Sequence, residues 1–224
     1  CFATFQLPML ICNIPWQRLY NSHAAGLVYR FCRVVDLAHH DLGDEGACAI
    51  AAALPGNTLL QWLRLSFCNI GLNGALAIGE ALRQNTSLVH LDLSENRKLS
   101  SQGVSAIAPY LSVEGCKLEW LGLANVGCMD SGAIDLADNI ANNISLQHLD
   151  LQRNGIEDYG VQSISDALMK SIAQGGRLQS LDLGRNVISG MGARAILITA
   201  RACATLCELN LQDNKLDTVA CTAL

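Results

Sequence analysis

The sequence predicts an α/β solenoid, with short parallel strands on its concave face and helices on its convex face. Three observations lead there. A phrase of the form Leu-x-Leu-x-x-Asn-x-Ile recurs at nearly constant spacing along the chain. Each recurrence opens a unit whose first half alternates apolar and polar residues, and whose second half places apolar residues at helical spacing. Half of the 224 residues are hydrophobic, enough for a continuous core and too many for a disordered chain.

In order, the phrase reads VDLAHHDL from Val35, LRLSFCNI from Leu63, LDLSENRKL from Leu91 and LGLANVGCM from Leu121. It continues as LDLQRNGI from Leu149, LDLGRNVI from Leu181 and LNLQDNKL from Leu209. Start-to-start steps are 28, 28, 30, 28, 32 and 28 residues. One step back from Val35 falls on Leu7, where LPMLICNI fits the frame with Cys12 in the Asn slot. Residues 1–224 therefore read as one array of about eight units. Residues 1–30 form a degenerate first unit or partial cap, with Trp16 and Tyr20 where small residues usually pack; residues 31–224 hold the regular units. The chain has no initiator Met and stops at VACTAL inside what should be a helix. A segment of a longer protein, or an array capped by another chain, is expected, because solenoids need polar caps.

Each element has its own reason. Leu91-Asp92-Leu93 has the period of two that marks a half-buried strand. Ala75, Ile78 and Leu82, and then Val104, Ile107 and Leu111, follow the helical period. Gly46, Gly74, Gly103, Gly132, Gly160 and Gly192 are expected to open the helices, and the runs at Asn85 and Asn142 to close them. A strand that returns through a helix to lie beside its own equivalent must pair in parallel. The turn after each strand leaves backbone groups inside the stack, where water cannot reach them. Asn96, Asn154, Asn186 and Asn214 can both donate and accept there, as a ladder. Cys12 and Cys68 put a small thiol in the slot; His40 and Val126 depart from it, so the ladder should weaken at those turns.

The 28-residue unit with its LxLxx(N/C)xI segment resembles leucine-rich repeats of the ribonuclease-inhibitor type, over essentially residues 7–224. The resemblance implies a horseshoe with strands inside and helices outside. Related arrays occur in ribonuclease inhibitor, NOD-like receptors, the Ran GTPase-activating protein, tropomodulin and axonemal proteins. Such a motif specifies architecture strongly and function weakly.

Two units depart in length. The one from Leu91 has one extra residue in its turn and a longer loop, SVEGCKLEW; the one from Leu149 has four extra residues around SIAQGGRL. Insertions in solenoids map to loops on one face, either as drift or as a binding feature.

The net charge of −5 and pI near 5.4 argue against a nucleic-acid surface. No apolar run approaches a membrane span, and the N-terminal stretch lacks the basic leader and cleavage site of a signal peptide. The 10 cysteines form no CxxC pair and no zinc pattern; Cys203 and Cys207 have the spacing of helix neighbours. Reduced structural thiols in the cytoplasm or another reducing compartment are expected. With reduced thiols, glycosylation at the sequons of Asn85 and Asn143 is not expected.

The register also gives the concave face. The residue before the first Leu reads Val34, Trp62, His90, Trp120, His148, Ser180 and Glu208; the residue between the leucines reads Asp36, Arg64, Asp92, Gly122, Asp150, Asp182 and Asn210. Two tryptophans and two histidines alternate in one exposed row, with Trp62 and Trp120 roughly 10 Å apart around His90. Exposed Trp suits a protein-binding hot spot, unless the rings merely lie flat as sheet cover. The candidate partner-binding residues are Trp62, Arg64, Phe67, His90, Asp92, Trp120, His148, Asp150, Arg153, Asp182 and Arg185. The aspartates are either a solvated face or a site for a basic target, with Arg153 and Arg185 tempering the field.

No catalytic residue, metal or cofactor is assigned. His90, Asp92, His148 and Asp150 lie two strands apart, too far for Zn–N bonds of ~2.0 Å, and no GxSxG, P-loop or HExxH is present. The expected function is a non-catalytic protein–protein interaction scaffold, part of a larger complex, binding through the concave face and open ends. The alternatives are a GTPase activator resembling the Ran regulator, for which no matching catalytic residue is assigned here, and the sensor segment of a NOD-like receptor.

Overall fold

The computed structural model describes residues 32–216. Seven three-residue strands form at the seven phrases from Val35 onward: β1 (Val34–Asp36), β2 (Trp62–Arg64), β3 (His90–Asp92), β4 (Trp120–Gly122), β5 (His148–Asp150), β6 (Ser180–Asp182) and β7 (Glu208–Asn210). Between them run α1 (Gly43–Ala53), α2 (Leu72–Leu82), α3 (Ser100–Ile107), α4 (Met129–Ile140), α5 (Asp158–Ala173) and α6 (Gly190–Ala202). The expected first unit, with Cys12, Trp16 and Tyr20, and the end of the last unit lie outside the described residues.

The strands form one parallel sheet in chain order. A single register runs through it, with Leu63 beside Leu91, Leu121, Leu149, Leu181 and Leu209 in turn. Burial enforces that register. Leu63, Leu65, Leu91 and Leu93 are fully enclosed, and a slip of one residue would exchange this leucine row for the aspartate row. Ala75, Ile78, Leu82, Val104, Ile107 and Leu111 close the core from the helix side.

The glycines expected to open the helices sit inside the first turn instead. Their role is close approach. A Cβ at Gly74 would lie 2.7 Å from Ile70 Cγ2 and 2.8 Å from Ala47 Cβ, so any side chain there would push adjacent units apart. Capping is delegated across units. Asp44 in α1 accepts the Gly71 and Gly74 N–H groups at the start of α2, and Asp158 in α5 accepts those of Ser189 and Gly192 at the start of α6.

The four extra residues in the unit from Leu149 make helix, not loop. α5 has 16 residues against 11 to 13 in α1, α2, α4 and α6, about one more turn. In the unit from Leu91, Pro109 cannot donate the next helical hydrogen bond, and α3 gives way to a 3-10 turn over Ala108–Ser112. Cys203 and Cys207 are not helix neighbours: α6 ends at Ala202, Cys203 caps it, and Cys207 stands just ahead of β7. No helix of the described residues is long and apolar enough to cross a membrane.

Candidate partner-binding face

The turn after each strand is held as the slot residues require. Asn154 Oδ1 accepts the N–H groups of Val126, Gly127 and Cys128 at 3.0–3.1 Å, while its Nδ2 donates to the Leu123 carbonyl at 2.7 Å. Asn96 holds the Cys68 and Ile70 N–H groups and the Leu65 carbonyl; Asn186 holds those of Asn154 and Ile156 and the Leu151 carbonyl. Each slot Asn thus completes the turn of the preceding unit. Where the slot departs, the ladder is one-sided. Cys68 donates to the Leu37 carbonyl at 3.0 Å and the Ser66 carbonyl at 3.5 Å, and His40 Nδ1 reaches the Leu37 and Ala38 carbonyls. The turns preceding Cys68 and Val126 pair with backbone instead: Leu42 N–H donates to His40 C=O, and Leu99 N–H to Asn96 C=O.

A second asparagine ladder, absent from the sequence reading, joins helix ends to strands. Asn85 donates to the Leu54 and Asn57 carbonyls and accepts from Ser87 and Leu88 N–H; Asn143 donates to the Leu111 carbonyl and accepts from Ser145 and Leu146 N–H. These are the two sequon asparagines, and both are buried, so neither amide is open to a glycosyltransferase in the folded chain.

On the concave face, β2, β3 and β4 place Trp62, His90 and Trp120 side by side. The rings do not lie flat on the sheet. Trp62 stacks on His90 with centroids 4.3 Å apart and planes 9° from parallel, and His90 on Trp120 at 4.0 Å and 12°. Gly122 makes room for this, because the Trp120 indole lies across it. Trp62 keeps 45% of its surface exposed. Burial, opposed by Asp92 and reinforced by Arg64 and His148, pushes the His90 imidazole down to about 4, so the ring between the indoles is neutral at physiological pH. His148 continues the row on β5 but makes no ring contact with Trp120.

The aspartates first serve the backbone. Asp36, Asp92, Asp150 and Asp182 each accept, through Oδ1, the N–H two residues on, at 2.8–3.1 Å. These Asx bonds bend the chain out of each strand. Arg64 bridges two of the carboxylates, with Asp36 at 2.9 Å and Asp92 at 3.7 Å. The expectation that Arg153 and Arg185 temper the aspartate row is not met. Arg153 pairs with Glu95 at 3.7 Å and Arg185 with Asp213 at 3.0 Å. The reason is backbone direction. Both arginines, with His39, Phe67, Glu95, Asn125 and Asp213, precede the slot with φ between 53° and 63°, and this left-handed turn carries their side chains along its edge. Phe67 belongs to the same edge, stacked on His39 at 4.4 Å. No glycine marks these positions, so their left-handed backbone has no signature in the residue types.

The candidate residues therefore divide. Trp62, His90, Trp120, Arg64 and Asp92 form one contiguous patch; His148, Asp150 and Asp182 extend it across β5 and β6; Phe67, Arg153 and Arg185 stand on the turn edge. Among the described residues no three His, Cys, Asp or Glu side chains converge as metal ligands would.

Comparison with known proteins fits this architecture. A family model described as Leucine Rich repeat matches residues 33–51, 56–79, 84–108, 142–165 and 178–197, and the chain belongs to that family. Its repeats are of the ribonuclease-inhibitor type. It is 30% identical over 185 residues to ribonuclease inhibitor of Sus scrofa, covering 82% of this chain and 40% of that protein. It is 34% identical over 135 residues to NACHT, LRR and PYD domains-containing protein 14 of Homo sapiens, covering 60% of this chain and 12% of that one. The chain thus spans less than half the length of these relatives. Among solved structures, Leiomodin-1 Actin-Binding Site 2 superposes with a TM-score of 0.54 at 17% identity, over 72% of this chain and 91% of that one.

Proposed function

We propose that the array is a non-catalytic protein–protein interaction scaffold that engages its partner through the concave face and serves within a larger complex. The observation that carries this reading is the Trp62–His90–Trp120 stack. Three preorganised rings, one of them half-exposed, face outward on a rigid sheet. Rigid aromatic anchors contribute most to interface energies because they bury a large area at little cost in side-chain entropy. A relative is named ribonuclease inhibitor, a protein that acts on another protein, which agrees with this mode of action. Residues 1–224 act as one array in this proposal, in the cytoplasm or another reducing intracellular compartment. Cys68 and Cys128 are buried thiols pushed up to about 12 by burial, and thus inert structural groups.

The test is affinity capture from the native source with wild type beside a Trp62→Ala/Trp120→Ala variant, both with native circular dichroism. Loss of one set of partners from the variant alone is expected. Identical partners on both baits would overturn the concave-face reading.

The similarity to NACHT, LRR and PYD proteins, which the chain covers only in small part, favours one second reading: the chain is the sensor segment of such a receptor. A full-length transcript encoding a nucleotide-binding domain upstream would support it, and a transcript without one would remove it.

A further inference from the structure

The concave face contains a worked example of how it holds a planar cation. Arg64 leaves β2 between two carboxylates, Asp36 on β1 and Asp92 on β3. Its neighbour in the outer row is the Trp62 indole. The same surroundings recur two strands on without the cation. Gly122 holds the equivalent position on β4, with Asp92 on one side and Asp150 on the other. Trp120 lies over that glycine. Its first face is against His90, and its second is turned toward β5, where His148 is its register neighbour.

Asp150 lacks what Asp92 has. It accepts the Gln152 N–H at 2.9 Å, and among the described residues no lysine or arginine pairs with it. The arginines on the turns that follow β5 and β6, Arg153 and Arg185, are committed to Glu95 and Asp213 on the turn edge. The outward residues of β5, β6 and β7 are His148, Asp150, Ser180, Asp182, Glu208 and Asn210, three of them acidic and none Lys or Arg.

We propose that a protein partner inserts an arginine side chain here, its guanidinium against the β5-facing side of the Trp120 indole and paired with the Asp150 carboxylate. This rests on the concave-face reading and names the chemistry of the partner. Charge complementarity selects a cation, and the indole beside the carboxylate selects its shape. A guanidinium is planar, weakly hydrated and forked, so it stacks and pairs at once, whereas an ammonium does only the second well. Burial and the neighbouring Asp182 and Asp92 hold the Asp150 carboxyl above its usual range, as expected where an incoming positive charge is still missing.

The test uses acetylated, amidated hexa-arginine and hexa-lysine peptides, which carry the same charge, titrated calorimetrically at low salt into the full chain. Asp150→Asn keeps the side-chain oxygen that accepts Gln152 N–H and removes only the charge. Glu114→Gln removes an equal charge from an exposed loop. The expected result is at least tenfold tighter binding of hexa-arginine than hexa-lysine, with that preference lost in Asp150→Asn and kept in Glu114→Gln. Equal affinities for the two peptides, or an undiminished preference in Asp150→Asn, would overturn the proposal. Native partners that survive Asp150→Asn but are lost from Trp62→Ala/Trp120→Ala would sink the arginine site while leaving the concave-face reading standing.

Discussion

The Trp120 indole lies across the bare backbone of Gly122, two residues along the same strand, so closely that a Cβ on residue 122 would sit 2.5 Å from Cζ3 and 2.8 Å from Asp92 Oδ1. The glycine in the aspartate row is therefore a consequence of the aromatic row. Gly122→Ala should expel the indole from its stack with His90, at about 1–3 kcal/mol of stability. The measurement is tryptophan fluorescence together with urea unfolding. An unchanged spectrum and midpoint would show that the ring has room to spare.

Asn154 satisfies two chain segments at once, and its own N–H is held by Asn186 at 2.9 Å. Asn154→Ala removes the partners of Val126, Cys128 and Leu123 backbone groups inside the stack. A loss of about 3 kcal/mol or more follows, at 1–3 kcal/mol for each buried group left unpaired. Calorimetry should show the melting midpoint falling by roughly 6–12 °C. A fall within 2 °C would mean that water or local backbone pairing replaces the amide, as backbone does ahead of Cys68 and Val126.

His90 sets a pH dependence. Its folded-state value of about 4 lies below the ordinary 6.5, so between those values the unfolded chain binds a proton that the folded chain refuses. This contribution to stability is full above pH 6.5 and is lost as pH falls toward 4. Wild type should therefore lose more stability than His90→Phe between pH 7 and 4.5 in urea titrations. Its ring should titrate near 4 by NMR; titration near 6.5 would place the ring in solvent, outside the stack.

Asp150 has the opposite sign. A carboxyl held above its ordinary value favours the folded state only in its protonated form, so that contribution disappears as pH rises through the folded value. At pH 7 the charge is a burden on the fold, and Asp150→Asn should melt higher than wild type. The advantage should vanish below the ordinary carboxyl value of 3.8. A variant that melts lower at pH 7 would mean that the carboxylate already has a structural counter-charge.

The repeat made most of the fold legible. Seven phrases yielded seven strands in one register, and the Asn slot foretold which side chains reach the buried turns; the thin rung lies one unit ahead of Val126, whose own turn Asn154 closes. The order of the outer rows was legible for the same reason, since a period of two and parallel pairing leave no freedom in which residues are neighbours. What lay beyond reach depends on torsions that spacing does not encode. The residue before the slot is left-handed in every described unit, yet it is His, Phe, Glu, Asn, Arg, Arg and Asp in turn, so nothing announced that Arg153 and Arg185 would turn away from Asp150. The upright stack of Trp62, His90 and Trp120 depends on rotamers and on the space at Gly122. The four residues added near Ser171 became helix because α5 could accept close to a whole turn without changing the direction of its exit.

The backward reach of the slot asparagines gives the chain a direction in time as well as in space. A ribosome delivers unit after unit from the N-terminus, and each new turn emerges before the amide that will complete it. Asn154 must be translated before the turn at Val126 is closed, and Asn186 before that of Asn154. Where the next slot holds an asparagine, the growing end of the nascent chain therefore carries one open turn until that amide arrives, whereas the turns ahead of Cys68 and Val126 close on their own backbone.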